Sequence, residues 1–537
     1  MAALLRVINL SGRPLWYDEA FAVLYAEKPL SAMLHGTLTQ VQGAAADVHP
    51  LFFYSILHVW MQLVGESPAA VRGLSVLLGV ATVGMTYLLG RQLFDRRTGL
   101  AAAAITALSP FAVYYSQEAR MYALLGFAAV AATTCFVRAW TVGGWLNWML
   151  FAVGGATTLY AHNLGFAFLL ALDGWVLWAW LRPDGSGWRL TWRRNYRNLI
   201  PLVLSHLLML TLFAPWLTVV PSQLGKIGQA YWVSQPGFAQ LIQTLIIFHF
   251  AYDNQSLPGW LLPPALFFSL LLVILLARAM VRELVGRRRG HRTPAVSAAP
   301  TPSAHYPLLL SLTLMPALLI FTVSQLRPVY IVRALLPSAL AYYLLLAAVL
   351  THDRLPRTLK RGLLLCCTVI AVASLWNHYT YAQFPRSPFD QAAVFLRAHH
   401  QPGDVIVHSN KLTFFPTHAY DRALPQAFIG DEPGSPSDTL AYATQQTFGL
   451  FAVPDIESAT QGHERVWFVM FRRAADEYRA AGYADHPQRI WLEQHYTLVS
   501  VTSFNDLNVY EYQSGSLPAV VPYLRKGAAV HLTGEHL

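Results

Sequence analysis

Residues 259–289 read GWLLPPALFFSLLLVILLARAMVRELVGRRR. The apolar part, 259–280, is long enough to cross a bilayer, because about 20 helical residues span roughly 30 Å of hydrocarbon. Arginines 278, 282, 287, 288 and 289 crowd its far end. Excess Lys and Arg beside a span keeps that end in the cytoplasm. The whole chain repeats this pairing of span and basic flank. Of its 537 residues 55% are hydrophobic and 12% charged, with 16 Trp, 25 Tyr and 28 Phe. Soluble domains carry about a quarter charged residues. Half that share excludes a soluble enzyme, a disordered regulator and a fibrous protein, and the aromatic content suits belts at two lipid–water interfaces.

Working outward from 259–280, the same window predicts spans near 68–93, 99–116, 120–140, 147–161, 164–181, 199–220, 306–325, 334–351 and 362–381. Residues 1–10, MAALLRVINL, are too short to cross alone and read as the last turns of a further span whose beginning is missing. The expectation is an α-helical polytopic membrane protein with 10–11 transmembrane helices. Basic clusters fall at alternate turns: Arg91, Arg96 and Arg97; Arg182, Arg189, Arg193, Arg194 and Arg197; Arg278 to Arg292; and Arg354, Arg357, Lys360 and Arg361. The opposite side then receives 11–67, 117–119, 160–163, 221–258, 326–333 and 382–537.

Charge divides the chain in the same way. Residues 381–537 hold 11 Lys/Arg and 16 Asp/Glu, a net of −5, which leaves 27 and 12, a net of +15, for residues 1–380. Positive charge gathered in short loops orients spans and does not indicate nucleic acid. The three cysteines, Cys135, Cys366 and Cys367, lie in apolar runs and offer neither a disulfide framework nor a Cys-based metal site.

The expected domains are a transmembrane part, 1–381, and a soluble extracytoplasmic α/β part, 382–537. In the first large outer loop, 11–67, segments 19–34 and 50–64 have the spacing of amphipathic helices lying in the interface, and 236–252 reads as another. In the tail, a helix start at Ser387-Pro388, strands VIVHS and RVWFVMF, a helix AADEYRAAG and a terminal pair, TLVSVTSF and NVYEY, predict a small α/β layer. Residues 286–304 read as a flexible cytoplasmic loop.

Unusual polar residues gather in the segments assigned to the outer side. Trp16-Tyr17-Asp18-Glu19 places adjacent carboxylates beside aromatics. Asp18 can serve as a helix N-cap with Glu19 favouring the positive helix end, or as a general base facing an acceptor hydroxyl. Asp47-Val48-His49-Pro50 reads as a Pro-led helix start with a capping Asp, or as part of the same site. Ser116 to Tyr122, SQEARMY, sets Glu118 and Arg120 between two spans, either as an interfacial ion pair or as site residues. His162 follows a later span. Arg327 and Arg333 sit in a short outer turn, against the orientation bias, and suit a phosphate group or an outer carboxylate. Lys226 is a further cation of this kind.

WYDEAF, DVHPLFFYSILHVW, SPFAVYYSQEARMYALL, LYAHNLGFAFLL and RPVYIVRALLPSAL, in this order, resemble bacterial membrane glycosyltransferases of family 39. That family is similar to protein O-mannosyltransferases and to the lipid A aminoarabinose transferase, all of the GT-C fold. The resemblance runs along most of residues 10–350. It implies an inverting transfer of sugar from a polyprenyl-phosphate-linked donor to an extracytoplasmic acceptor hydroxyl, in a bacterial plasma membrane. It implies Asp18 as the base, with Glu118, Glu19 and His49 positioning it or the sugar. Arg327 and Arg333, helped by Lys226 or Arg120, would hold the leaving phosphate, while Tyr122, Asp47 and His162 complete the donor site. The resemblance names no certain cofactor, and a divalent ion on Asp18, Glu118 and His49 stays open. The competing reading is a lipid or polysaccharide transporter or flippase, which would need ionisable groups near mid-membrane and paired repeats.

Overall fold

The structure, a computed structural model, describes residues 1–41, 44–181, 188–229, 232–252, 257–288, 305–352, 356–435 and 437–515. Arg182, Arg289, Arg292, Arg354 and nearly all of the 286–304 loop lie outside them, as do the side chains of Arg189, Arg193, Arg194, Arg197, Arg287 and Arg288. The chain forms two compact units. The first comprises Met1–Ile8, Arg72–Thr218 and Ser234–Tyr379, the second Asn9–Val71, Val219–Val233 and Thr380–Leu537.

The first unit is helical. Helices occur at all ten positions expected from the apolar runs. Among the described residues seven are long and apolar enough to cross a membrane, and an eighth span results if one bent pair counts as a unit. Trp145–Ala161 and Gly165–Leu181, at 17 residues each, are shorter. Leu207, Leu210, Phe267, Leu270, Leu365 and Val369 expose their side chains. An exposed apolar surface of this extent suits lipid and would be costly in water.

The bent pair is the stretch expected as a single span at 99–116. Arg96–Leu108 and Pro110–Ser116 meet at 63°. Pro110 has no N–H to continue the ladder, and Ser109 caps the new helix by accepting from the Ala112 amide at 3.2 Å. The break strands the carbonyls of Thr106 and Ala107. Arg6, fully buried on the short helix Ala2–Val7, donates to both at 3.2 and 3.3 Å and to the Ser116 hydroxyl at 3.0 Å. Gly79 allows Pro68–Leu93 to approach this point: a Cβ there would stand 2.1 Å from Ser116 Oγ.

The second unit joins the tail to the loop helices. Residues 9–71 and 219–233 fold with it, whereas the sequence reading grouped them with the spans. Its sheet runs in the order Gln426–Phe428, Val405–His408, Arg465–Phe471, Leu507–Gln513, Thr497–Phe504. The first three strands are parallel and the last two antiparallel to their neighbours. RVWFVMF is apolar at successive positions because both faces are covered. Val466, Phe468 and Met470 pack with Ile456, Ala475 and Leu492, while Trp467, Val469 and Phe471 pack with Phe389 and Leu396.

The expected helix at 19–34 is two helices, Tyr17–Ala26 and Leu30–Leu38, separated at Pro29. An aromatic cluster ties them to the tail. Phe21 stacks on Tyr25 and lies 6.2 Å from Phe415 and 5.1 Å from Phe448, centre to centre. Gly36 lets Leu30–Leu38 touch Tyr442–Phe448, since a Cβ would stand 2.4 Å from Thr447 Oγ1. Phe52–Val64 and Phe238–Phe250 occur as expected helices, the first in this unit and the second in the other.

Candidate active site

In the second unit the Tyr17–Ala26 helix begins after Trp16, whose extended backbone takes the N-cap position without a side-chain cap. Asp18 is therefore not the cap, as one sequence reading had it. Asp18 and Glu19 occupy the first turn, where the positive helix end favours carboxylates. Consecutive helical residues project about 100° apart. Here that separates their environments: Asp18 is half-buried and Glu19 wholly buried. The Glu19 carboxylate accepts from Arg386 Nη1 at 2.7 Å, a pair with side-chain exposures of 0% and 2%. Arg386 lies just after the last span and was not singled out from the sequence. Its one signal there is a cation at the junction between spans and tail.

Asp47 does not cap the next helix either. Phe52–Val64 starts after Leu51, with no side-chain cap. Asp47 Oδ1 instead accepts from the Val48 and His49 amides at 2.6 and 3.2 Å and lies 3.2 Å from His49 Nδ1. The two form one local turn with side chains mostly shielded from solvent. Gln223, from the Val220–Gln229 helix, donates to the Asp47 carbonyl at 3.3 Å, and Lys226 of the same helix donates to the Asp438 carbonyl at 3.3 Å. Burial pushes the Lys226 ammonium below its ordinary pKa; Asp438 and Asp47 oppose the shift and Lys411 adds to it. Among the described residues no three His, Cys, Asp or Glu side chains form a group that could hold a metal ion.

In the first unit the turn after the bent pair carries Gln117, Glu118 and Arg120, all buried. Gln117 donates to the Arg6 and Ile8 carbonyls at 3.0 and 2.9 Å, and its Oε1 lies 2.8 Å from His378 Nε2. The turn is thus fixed from two sides before Tyr122–Val142 begins. The Arg333 guanidinium sits 5.3 Å from the centre of the Tyr122 ring, within cation–π range, and the His162 ring is 6.0 Å from the same ring. Tyr122, His162 and Arg333, expected from three separate segments, are brought together. His162 holds its place by accepting the Leu164 amide at 3.1 Å. Arg327 is exposed, whereas Arg333 is half-buried in the short turn Val332–Leu335.

One pair was passed over in the sequence. Asp173, midway along Gly165–Leu181, lies 3.1 Å from His206 on Trp188–Leu217, each partly exposed. Its signal was an isolated carboxylate inside an apolar run, where a charge is costly without a partner.

With this geometry in view, the architecture matches solved membrane transferases. The structure of ArnT from Cupriavidus metallidurans bound to undecaprenyl phosphate shares 15% identity with this chain and has a TM-score of 0.58. That match covers 95% of this chain and 96% of that one. The apo oligosaccharyltransferase of Archaeoglobus fulgidus shares 13% identity over 96% of this chain and 74% of its own, with a TM-score of 0.50. The arabinofuranosyltransferase AftD from Mycobacteria shares 17% over 96% of this chain and 41% of its own, also at 0.50. No curated protein sequence matches the chain. At these identities the likeness establishes the fold, that of the GT-C membrane glycosyltransferases. Residues 48–218 match the family described as dolichyl-phosphate-mannose-protein mannosyltransferase, which agrees with the family-39-like resemblance read from the motifs. Glu118, Arg120, Tyr122 and His162 fall inside the matched range, Asp18 and Glu19 before it, and Arg333 after it.

Proposed function

We propose that this chain is an inverting glycosyltransferase of the plasma membrane. It moves a sugar from a polyprenyl-phosphate-linked donor to an acceptor hydroxyl on a protein, lipid or envelope glycan outside the cytoplasm. The observation that carries the reading is the likeness to a structure holding undecaprenyl phosphate along 95% of this chain. The family match over 48–218 supports it independently.

The chemistry follows from the residues. The acceptor oxygen attacks the anomeric carbon while the bond from that carbon to the phosphate oxygen breaks, and the electron pair leaves with the phosphate. Asp18, half-buried at a helix start, takes the acceptor proton. A phosphate leaving group gains negative charge and calls for a guanidinium more than for an acid. Arg333, fixed over Tyr122, fills that role, with Arg327, Arg120 and Lys226 as further cations toward the donor. Glu118 and His162 flank Tyr122 in sequence and in space respectively and orient the sugar. Asp47 and His49 form a second polar turn for the donor sugar. The 382–537 part is extracytoplasmic in this reading, and the bilayer itself delivers the donor.

The test is sugar transfer from a polyprenyl-phosphate sugar in membranes carrying either the parent chain or Asp18→Asn. Transfer by the parent and a drop of about 10²–10⁴-fold in the variant is expected for loss of a general base. Transfer at the parent rate by Asp18→Asn removes Asp18 from that role. A parent chain that transfers no sugar from any polyprenyl-phosphate donor removes the reading itself.

A further inference from the structure

The Glu19–Arg386 pair links the first loop helix to a residue 367 positions away, with almost no solvent on either side chain. Burying two charges sacrifices their hydration, and such a pair is often no more stabilising than apolar residues of the same size. Stability alone therefore does not account for it.

The pair is part of a longer chain of contacts. Residues 384–387 are held at both ends by Asp506, in the turn between the last two strands. Its Oδ2 accepts from the Phe384 amide at 2.8 Å and its Oδ1 from the Ser387 hydroxyl at 2.6 Å. The Asp506 carbonyl in turn accepts from the Arg472 amide at 2.7 Å, at the end of the central strand. Arg386, between these two anchors, donates to Glu19 and to the Pro14 carbonyl and covers the Trp16 ring at 5.6 Å. The Leu15 amide donates to the Tyr420 hydroxyl at 2.8 Å, and the Tyr17 ring meets Phe415 edge-on at 5.7 Å. Residues 14–21 thus rest on the tail at Tyr420, Arg386 and Phe415. Asp18 lies in the middle of this run, next to Glu19 in the same first turn.

We propose that Arg386 is a positioning residue for the transfer: by drawing Glu19 inward it fixes the first turn of Tyr17–Ala26 and aims the Asp18 carboxylate. The C-terminal α/β layer is then part of the catalytic apparatus and not only an appended domain. The proposal rests on the reading of Asp18 as the base. A base must be held to a fraction of an ångström relative to the proton it takes, and misplacement by about 1 Å costs on the order of a hundredfold.

The experiment compares full-length Arg386→Met, Arg386→Lys and the double variant Glu19→Gln/Arg386→Met with the parent and Asp18→Asn. It reads kcat, KM for the polyprenyl-phosphate sugar, and the thermal midpoint in detergent. The expected result is a kcat for Arg386→Met lower by at least about tenfold with KM within about twofold. Arg386→Lys recovers part of kcat. The double variant, with neither charge of the pair present, regains the thermal midpoint and keeps the low kcat. A double variant that regains both shows a purely structural pair and overturns the proposal. If Arg386→Met does not accumulate, the double variant and Asp506→Ala, which loosens residues 384–387 and leaves the pair intact, carry the same test. Parent-like transfer by Arg386→Met beside an inactive Asp18→Asn overturns this proposal alone, whereas parent-like transfer by Asp18→Asn overturns the assignment beneath it.

Discussion

The turns at 16–21 and 116–122 look alike as sequence, each placing a glutamate close to a tyrosine and an alanine. The protein builds them in different ways. At 16–21 the carboxylates start a helix, one is half-exposed, and the other is neutralised by a guanidinium from a distant segment. At 116–122 the backbone is irregular between the end of Pro110–Ser116 and the start of Tyr122–Val142, and Gln117, Glu118 and Arg120 are buried together. The first turn is held by the tail, the second by Arg6, Gln117 and His378 among the spans. A carboxylate that handles protons benefits from partial access to water, whereas one that only orients a sugar can be buried.

This contrast can be broken experimentally, and the largest effect is expected at Asp18. Asp18→Asn lowers turnover by about 10²–10⁴-fold and leaves the thermal midpoint close to that of the parent, since a half-exposed first-turn carboxylate contributes under about 1 kcal/mol to the helix. A matching loss of stability would make Asp18 a structural residue. Next is Glu19→Ala, which strands the Arg386 charge and is expected to cost about 3–5 kcal/mol in denaturation of the detergent-solubilised chain. A cost below about 1 kcal/mol would mean the pair is solvated.

Acid gives a third test, confined to the unit that holds 16–21. His408 is fully buried between Thr413 and Gln426, and burial lowers its pKa from 6.5 to about 3. Above the unfolded value the imidazole is neutral in both states and nothing is lost. Below it the unfolded chain binds a proton that the buried ring refuses until about pH 3, so stability falls through that window. At pH 5 the loss is roughly 2 kcal/mol. His408→Gln should flatten this part of the pH dependence of the melting midpoint; an unchanged slope would locate acid sensitivity elsewhere. The smallest effect is expected at the other turn. Glu118→Gln keeps the shape, removes the charge, and lowers turnover by about tenfold; unchanged turnover would reduce the 116–122 turn to a fold element.

The parts of this fold carried by period and composition were legible. All ten apolar runs became helical, one of them as a bent pair, and RVWFVMF became a strand covered on both faces. The bend at Ser109-Pro110 was not foreseen, because the hydropathy of 99–116 is continuous across it and its signal lies in the proline's missing donor. The caps expected at Asp18 and Asp47 were displaced by Trp16 and Leu51. Capping is decided by a few residues of register, which composition does not fix. Tyr122, His162 and Arg333 were each picked out by their local setting, yet their meeting depends on helix packing. Arg386 carried no local pattern at all. Long-range ion pairs leave no periodic trace, and a lone arginine near a span end reads as an orientation signal.

The separation between Glu19 and Arg386 also has a bearing on biogenesis. A ribosome completes the first loop helix early, and the guanidinium that neutralises its glutamate emerges 367 residues later. Until then the Arg386 end of the pair has yet to be made. The Tyr17–Ala26 helix therefore takes its final seat only after the last span has been inserted and the tail has followed it, which ties maturation of the first loop to delivery of nearly the whole polypeptide.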